Sequence, residues 1–275
     1  VDVTASYRRA LATSEALLRD ILAAIRRQTQ DLLTALALLA PGAPGTFAGR
    51  VNTVAVTEVS LAETPYIEQT ANGGRSIVST SALDTAAGTG ARTVRIIYYS
   101  IVAGVVTGPF TETVALNGLV PVNTVAVNIG LVQQMEVLTV GVTGANQGIL
   151  NLFTGLGATG VVFTSIAVTR RTALLGHQYI VTGQTLVLTK IAVSSRASSG
   201  NSPTFALRSL DLSSSTAAEQ LVVDGIQAQG HANTALVIEI GQRIQGPARL
   251  RAYVTPENAL AQVQRLDASW YTVAQ

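Results

Sequence analysis

Residues 32–45 read Leu-Leu-Thr-Ala-Leu-Ala-Leu-Leu-Ala-Pro-Gly-Ala-Pro-Gly, and the chain changes character across them. Before this stretch Leu11, Leu18, Ile25, Leu32 and Leu39 recur at a spacing of seven, which traces one apolar seam along a helix. Proline and glycine then break any helix, because proline lacks an N–H and clashes with the preceding turn. The spacing predicts a coiled-coil-like helix over residues 4–40, about 55 Å long at 1.5 Å per residue. Ile21 and Leu36 widen the seam beyond a two-stranded one, which favours three or more helices. Leu11, Leu18, Ile21, Ile25, Leu32, Leu36 and Leu39 are therefore the candidate oligomerisation residues. A single amphipathic helix folded back on its own domain is the plainer alternative.

Beyond residue 50 the pattern becomes short runs rich in Val, Thr and Ile, bounded by turn residues. Alternation is clearest near the end of the chain. Leu250, Ala252 and Val254 alternate with Arg249, Arg251 and Tyr253, and Leu266, Ala268 and Trp270 with Arg265, Asp267 and Ser269. Asn117-Gly118 between two runs predicts a hairpin. Tyr98-Tyr99 should place one ring in the core and one on the surface, and Thr216–Val223 reads as one or two helical turns. The expected class is mainly β: a long amino-terminal α-helix (1–41), then two antiparallel β-sandwich or jelly-roll domains at 42–171 and 172–275.

Charge is informative by its absence. The net charge is +2, and Lys190 is the single lysine among 18 cations. From Ile96 to Thr169 only Glu112 and Glu136 are charged, against about a quarter of residues in ordinary soluble domains. Such a surface lowers repulsion between packed copies and suits coverage by partners. No apolar run reaches the length of a membrane span, the most apolar stretch being Leu32–Ala40, and no secretory signal is read at the start.

A catalytic signature is not found. Cysteine is absent, so disulfides and thiolate chemistry are excluded. His177 and His231 each follow a glycine and read as solvated loop residues rather than metal ligands. Glu112 and Glu136 could be imagined as a glycosidase pair but are more simply outward-facing, solubilising residues. No metal, cofactor, catalytic residue, membrane contact or nucleic-acid contact is expected.

Leu83-Asp-Thr-Ala-Ala-Gly-Thr-Gly-Ala-Arg-Thr-Val-Arg-Ile-Ile-Tyr-Tyr99, Gly108-Pro-Phe-Thr-Glu-Thr-Val-Ala-Leu-Asn-Gly118 and Met135-Glu-Val-Leu-Thr139 resemble segments of tailed-bacteriophage virion proteins. Val181-Thr-Gly-Gln-Thr-Leu-Val-Leu-Thr-Lys190 is similar to a hairpin of phage head-decoration and fibre proteins. The resemblance implies a non-enzymatic virion protein with a β-sandwich or jelly-roll body, a homotrimer whose partners are the major capsid protein or neck and tail proteins. Capsid cement or decoration is the favoured role. A trimeric neck or tail fibre, or a glycan-binding receptor protein, is the alternative.

Overall fold

The computed structural model describes residues 45–53, 58–62, 66–69, 71–173, 175–196, 203–214, 217–227, 236–256 and 262–274. In chain order the strands are β1 (Gly45–Thr53), β2 (Val59–Ser60), β3 (Ser76–Ser79), β4 (Ala91–Val102), β5 (Val105–Ala115), β6 (Val122–Asn123), β7 (Leu131–Val140) and β8 (Leu150–Phe153). They continue as β9 (Val162–Ile166), β10 (His177–Ile180), β11 (Gln184–Arg196), β12 (Thr204–Asp211), β13 (Gln220–Gln227), β14 (Leu236–Gln245), β15 (Ala248–Thr255) and β16 (Gln262–Ala274).

Pairing groups them into two bodies. One sheet runs β1-β16-β11-β14, and facing it lies β10-β15-β12-β13, with β2 also on β15. Between them sits a core that takes Leu186, Leu188 and Leu266 from the first sheet and Phe205, Leu250 and Val254 from the second. A second pair of sheets, β6-β3-β8-β9 and β5-β4-β7, encloses Ile77, Ile96, Met135, Leu152 and Phe163. Because β1 and β2 pair with β16 and β15, the described residues begin in the carboxy-terminal body, leave it for the second, and return at β10. The second body is thus inserted into a framing body.

The alternation read in β15 and β16 places Leu250, Ala252, Val254, Leu266 and Ala268 in the framing core. Trp270 packs against it, half-buried. Gly183, at positive φ, leads into β11 as its turn position suggests.

The composite class is corrected to all-β. Among the described residues there is no α-helix, and the helical content is one 3-10 turn at Leu156–Ala158. Residues 1–41, with Leu11, Leu18, Ile21, Ile25, Leu32, Leu36 and Leu39, lie outside the described residues. In a stretch so rich in Leu, Ala and Ile several apolar spacings coexist, and seven does not by itself select a helix. The helical reading at Thr216–Val223 gives way to β13, whose backbone bonds go to β12. Asn117-Gly118 does not join paired strands: β5 turns back on β4 through Ala103-Gly104, both at positive φ as a two-residue hairpin requires. Tyr98 and Tyr99 are both buried, since one face of β4 meets its own core and the other meets the framing body.

The resemblance segment beginning at Leu83 folds around a buried carboxylate. Asp84 accepts bonds from Ser79 Oγ at 2.6 Å, Ala91 N at 2.7 Å, Gln147 N at 2.9 Å and Gly148 N at 2.8 Å. A Cβ at Gly90 would stand 2.1 Å from Asp84 Oδ1, so this backbone approach needs glycine. One side chain thereby ties the start of β4 to the loop before β8.

Candidate interaction surface

The polar face of β15 is covered: Arg249 is buried, Arg251 and Tyr253 are half-buried, and Arg251 lies over the Tyr66 ring of the segment entering the inserted body. Arg249 pairs there with Glu68, from the segment entering the inserted body, and with Glu219, which precedes β13. The Tyr253 hydroxyl donates to Glu219 Oε2 at 2.7 Å. Burial, then the neighbouring Arg251 charge, lowers the Arg249 guanidinium to about 10, so it stays a cation between its carboxylates.

A hydroxyl relay continues the joint. Val132 N–H donates to the Tyr66 hydroxyl at 3.3 Å, which lies 2.6 Å from that of Tyr179, and the latter reaches Glu68 Oε1 at 3.4 Å. Gln133 clamps β10 by donating to His177 O at 2.7 Å and accepting from Tyr179 N at 2.9 Å. Beside the joint opens a cleft of about 540 Å³ lined by Glu68, Ile101, Leu131, Leu210, Asp211 and Leu212.

His177 corrects the reading of a solvated loop histidine. It is buried in β10, with Nε2–H donating to Val132 O at 2.9 Å and the Tyr66 and Tyr179 rings 4.5 and 5.0 Å away. Sequence showed only the glycine before it, not the body that covers it. His231 lies outside the described residues. Desolvation, reinforced by the Arg251 charge, pushes the imidazole down to about 3 from an ordinary 6.5. An unfolded chain therefore takes up a proton below pH 6.5 that the folded one refuses until about pH 3. The resulting stability is complete above that range and declines as pH falls through it, by at most about 1.4 kcal/mol per unit. In denaturant titrations from pH 7 to pH 4, His177→Gln should show a shallower acid loss than the wild type. Parallel curves would contradict this.

The charge-poor block builds the outside of the inserted body. Among the described residues most exposed large apolar side chains belong to it, with Val125 at 90% and Val127 at 71% exposure. These two are held in place. Thr124 N donates to Arg75 O at 2.8 Å, Arg75 N donates to Thr124 Oγ1 at 2.9 Å, and the Arg75 guanidinium donates to Ile129 O at 2.5 Å. Between those anchors the Glu112 carboxylate accepts from Val125 N at 2.6 Å and Ala126 N at 3.0 Å. Phe110, also exposed, stands two residues from Glu112 on the same face of β5 and packs on Tyr98 at 5.7 Å.

Glu112 is thus a loop clamp rather than a solubilising residue. Glu136 pairs with Arg95. The two carboxylates oppose Ile96 and Arg95, neighbours on β4, and so face opposite sides of the sheet and share no cleft. Among the described residues no three of His, Asp and Glu converge as a metal site would need. What the arrangement does chemically is hold: it joins two bodies by charge and presents a stiff, apolar, almost uncharged surface.

No protein family and no curated protein sequence matches the chain. Among solved structures, that of infectious bursal disease virus, Gx strain, is 8% identical and aligns over 85% of this chain and 73% of that one, with a TM-score of 0.28. A mutant VP2 protein of the same virus, in derived T=1 particles, is 10% identical over 85% and 70%, at 0.28. The STIV MCP is 12% identical over 82% and 96%, at 0.22. At these scores the likeness assigns neither family nor role.

Proposed function

We propose that the chain is a non-enzymatic structural protein of a virion, a capsid cement or decoration component. Its copies pack against one another and against the major capsid protein through the charge-poor surface of the inserted body. One observation carries this reading: Val125 and Val127 stand almost bare on a loop immobilised by Thr124, Arg75 and Glu112. A monomer gains nothing from ordering apolar side chains in water, whereas a contact gains about 1.5–3 kcal/mol for each valine it covers. The absence of cations across Ile96–Thr169 supports packing between like surfaces. The virion setting is supported by the resemblance of residues 83–99 and 108–118 to phage structural proteins.

The test is sedimentation of the wild type beside Val125→Asp/Val127→Asp. Both side chains project outward, so the variant should fold normally. Losing about 3 kcal/mol of contact should weaken association on the order of a hundredfold. An associating wild type whose variant associates equally well would contradict the assignment of this surface.

A further inference from the structure

The outer edge of β5 is the strongest unassigned feature of the inserted body. Strand β5 is terminal in its sheet, with β4 as its one strand partner; near its start Val106 also exchanges bonds with Thr182, which leaves the stretch beyond Pro109 open. Leu116 N donates to Arg92 O at 2.9 Å, and the register then makes 94–114, 96–112 and 98–110 the bonded pairs. The backbone N–H and C=O groups of Thr111, Thr113 and Ala115 consequently point away from β4. All three residues are exposed, and among the described residues nothing caps those groups. Strand β7, at the opposite side of the sheet, is covered: Val137 N donates to Arg171 O and Ala173 N to Met135 O.

Natural sheets blunt open edges with charge, bulges or covering segments. The framing body follows that rule. Strand β13 contains Asp224 and breaks register twice against β12, β14 contains Glu239 and Arg243, and β1 contains Arg50. Strand β5 follows it only at Gly108-Pro109, where its register with β4 breaks, and not over Thr111–Ala115. Its one charged residue, Glu112, is turned to the loop at Val125 and Ala126. Pro109, which lacks an N–H, closes the free segment at one end and the turn at Asn117-Gly118 closes it at the other.

We propose that the Thr111–Ala115 edge of β5 pairs antiparallel with the same edge of a second copy, with Thr113 opposite Thr113 about a two-fold axis. This deepens the proposed function and rests on it, naming which contact joins the copies. The edge is complementary to itself. Thr111 meets Ala115 in both directions, and about six main-chain hydrogen bonds form. Glu112 lies opposite Val114 and meets its own copy only on the diagonal, about 7–8 Å away, with each carboxylate held by Val125 N and Ala126 N of its own loop. Phe110, Val125 and Val127 stand beside the edge on its core side, so the same approach covers them.

Because the chain has no cysteine, single thiols report the register. Opposed bonded residues lie about 5.5 Å apart between Cα atoms, within disulfide reach. Thr113→Cys should form a covalent dimer on mild oxidation. Thr107→Cys, exposed on the same strand, should not, since its two copies would lie about 40 Å apart. Thr111→Cys mixed with Ala115→Cys should cross-link while neither does alone. In the wild type, the amides of residues 111, 113 and 115 should gain exchange protection as concentration rises. A wild type that associates while Thr113→Cys links no better than Thr107→Cys, with those amides unprotected, overturns this pairing and leaves the proposed function standing. A wild type that never associates overturns both.

Discussion

Replacing Asp84 by alanine is expected to cost the inserted body about 4 kcal/mol or more, the largest effect of any single substitution considered. Four donors converge on this carboxylate, three of them main-chain amides that no rotamer change can redirect. A hydrogen bond to a charged acceptor contributes about 1.5–3 kcal/mol, and a buried donor left without one carries its full desolvation cost. Alanine leaves all four donors facing a void. Asp84→Asn tests the charge at nearly constant shape: its amide keeps one acceptor oxygen but turns an N–H₂ toward donors. It should fall between wild type and alanine. Chemical denaturation read on the inserted body measures both, and a loss below about 1 kcal/mol for alanine would refute a structural role for the cage.

Arg249→Met should be nearly as damaging, at about 3–5 kcal/mol, because it strands Glu68 and Glu219 without the cation between them. The penalty is that of unpaired charge, so it should be recoverable. Adding Glu68→Gln and Glu219→Gln to Arg249→Met should restore much of the lost stability. Arg249→Lys should not, since one ammonium cannot serve two separated carboxylates as a planar fork does. Hydrogen exchange should localise the damage to residues 66–69 and β15, where the bodies meet. A triple variant no more stable than the single one would show that packing, rather than charge, holds the joint.

These two sites mark where sequence reading stopped. The inward faces of β15 and β16 were legible because apolar and polar residues alternate with the period of a strand, and burial of Leu250, Ala252 and Leu266 follows from that alone. The opposite face of β15 misled for the same reason. Arg249 and Tyr253 stand on the polar side of the alternation, yet Glu68, from the segment entering the second body, closes on the one and Glu219 on both. His177 and Tyr99 were misplaced likewise, since each is covered by residues distant in sequence, Val132 for one and Tyr179 for the other. Only long-range topology brings the first strands onto β15 and β16, and no local pattern carries it. The scarcity of charge between Ile96 and Thr169 was plain in the sequence, and the exposed valines are its counterpart in space. Which valines would be immobilised depended on Glu112, whose role as a loop clamp has no sequence signature. The Asn117-Gly118 signal failed because Ala103-Gly104 supplies the β4–β5 turn, while 117–118 leads out of the sheet.

The claim that this protein works by packing against copies of itself is tested most directly by sedimentation of the unmodified chain across a wide concentration range. The account predicts a mass above that of one 28.5 kDa chain, rising with concentration and falling back for Val125→Asp/Val127→Asp. A single 28.5 kDa species at every concentration would contradict it.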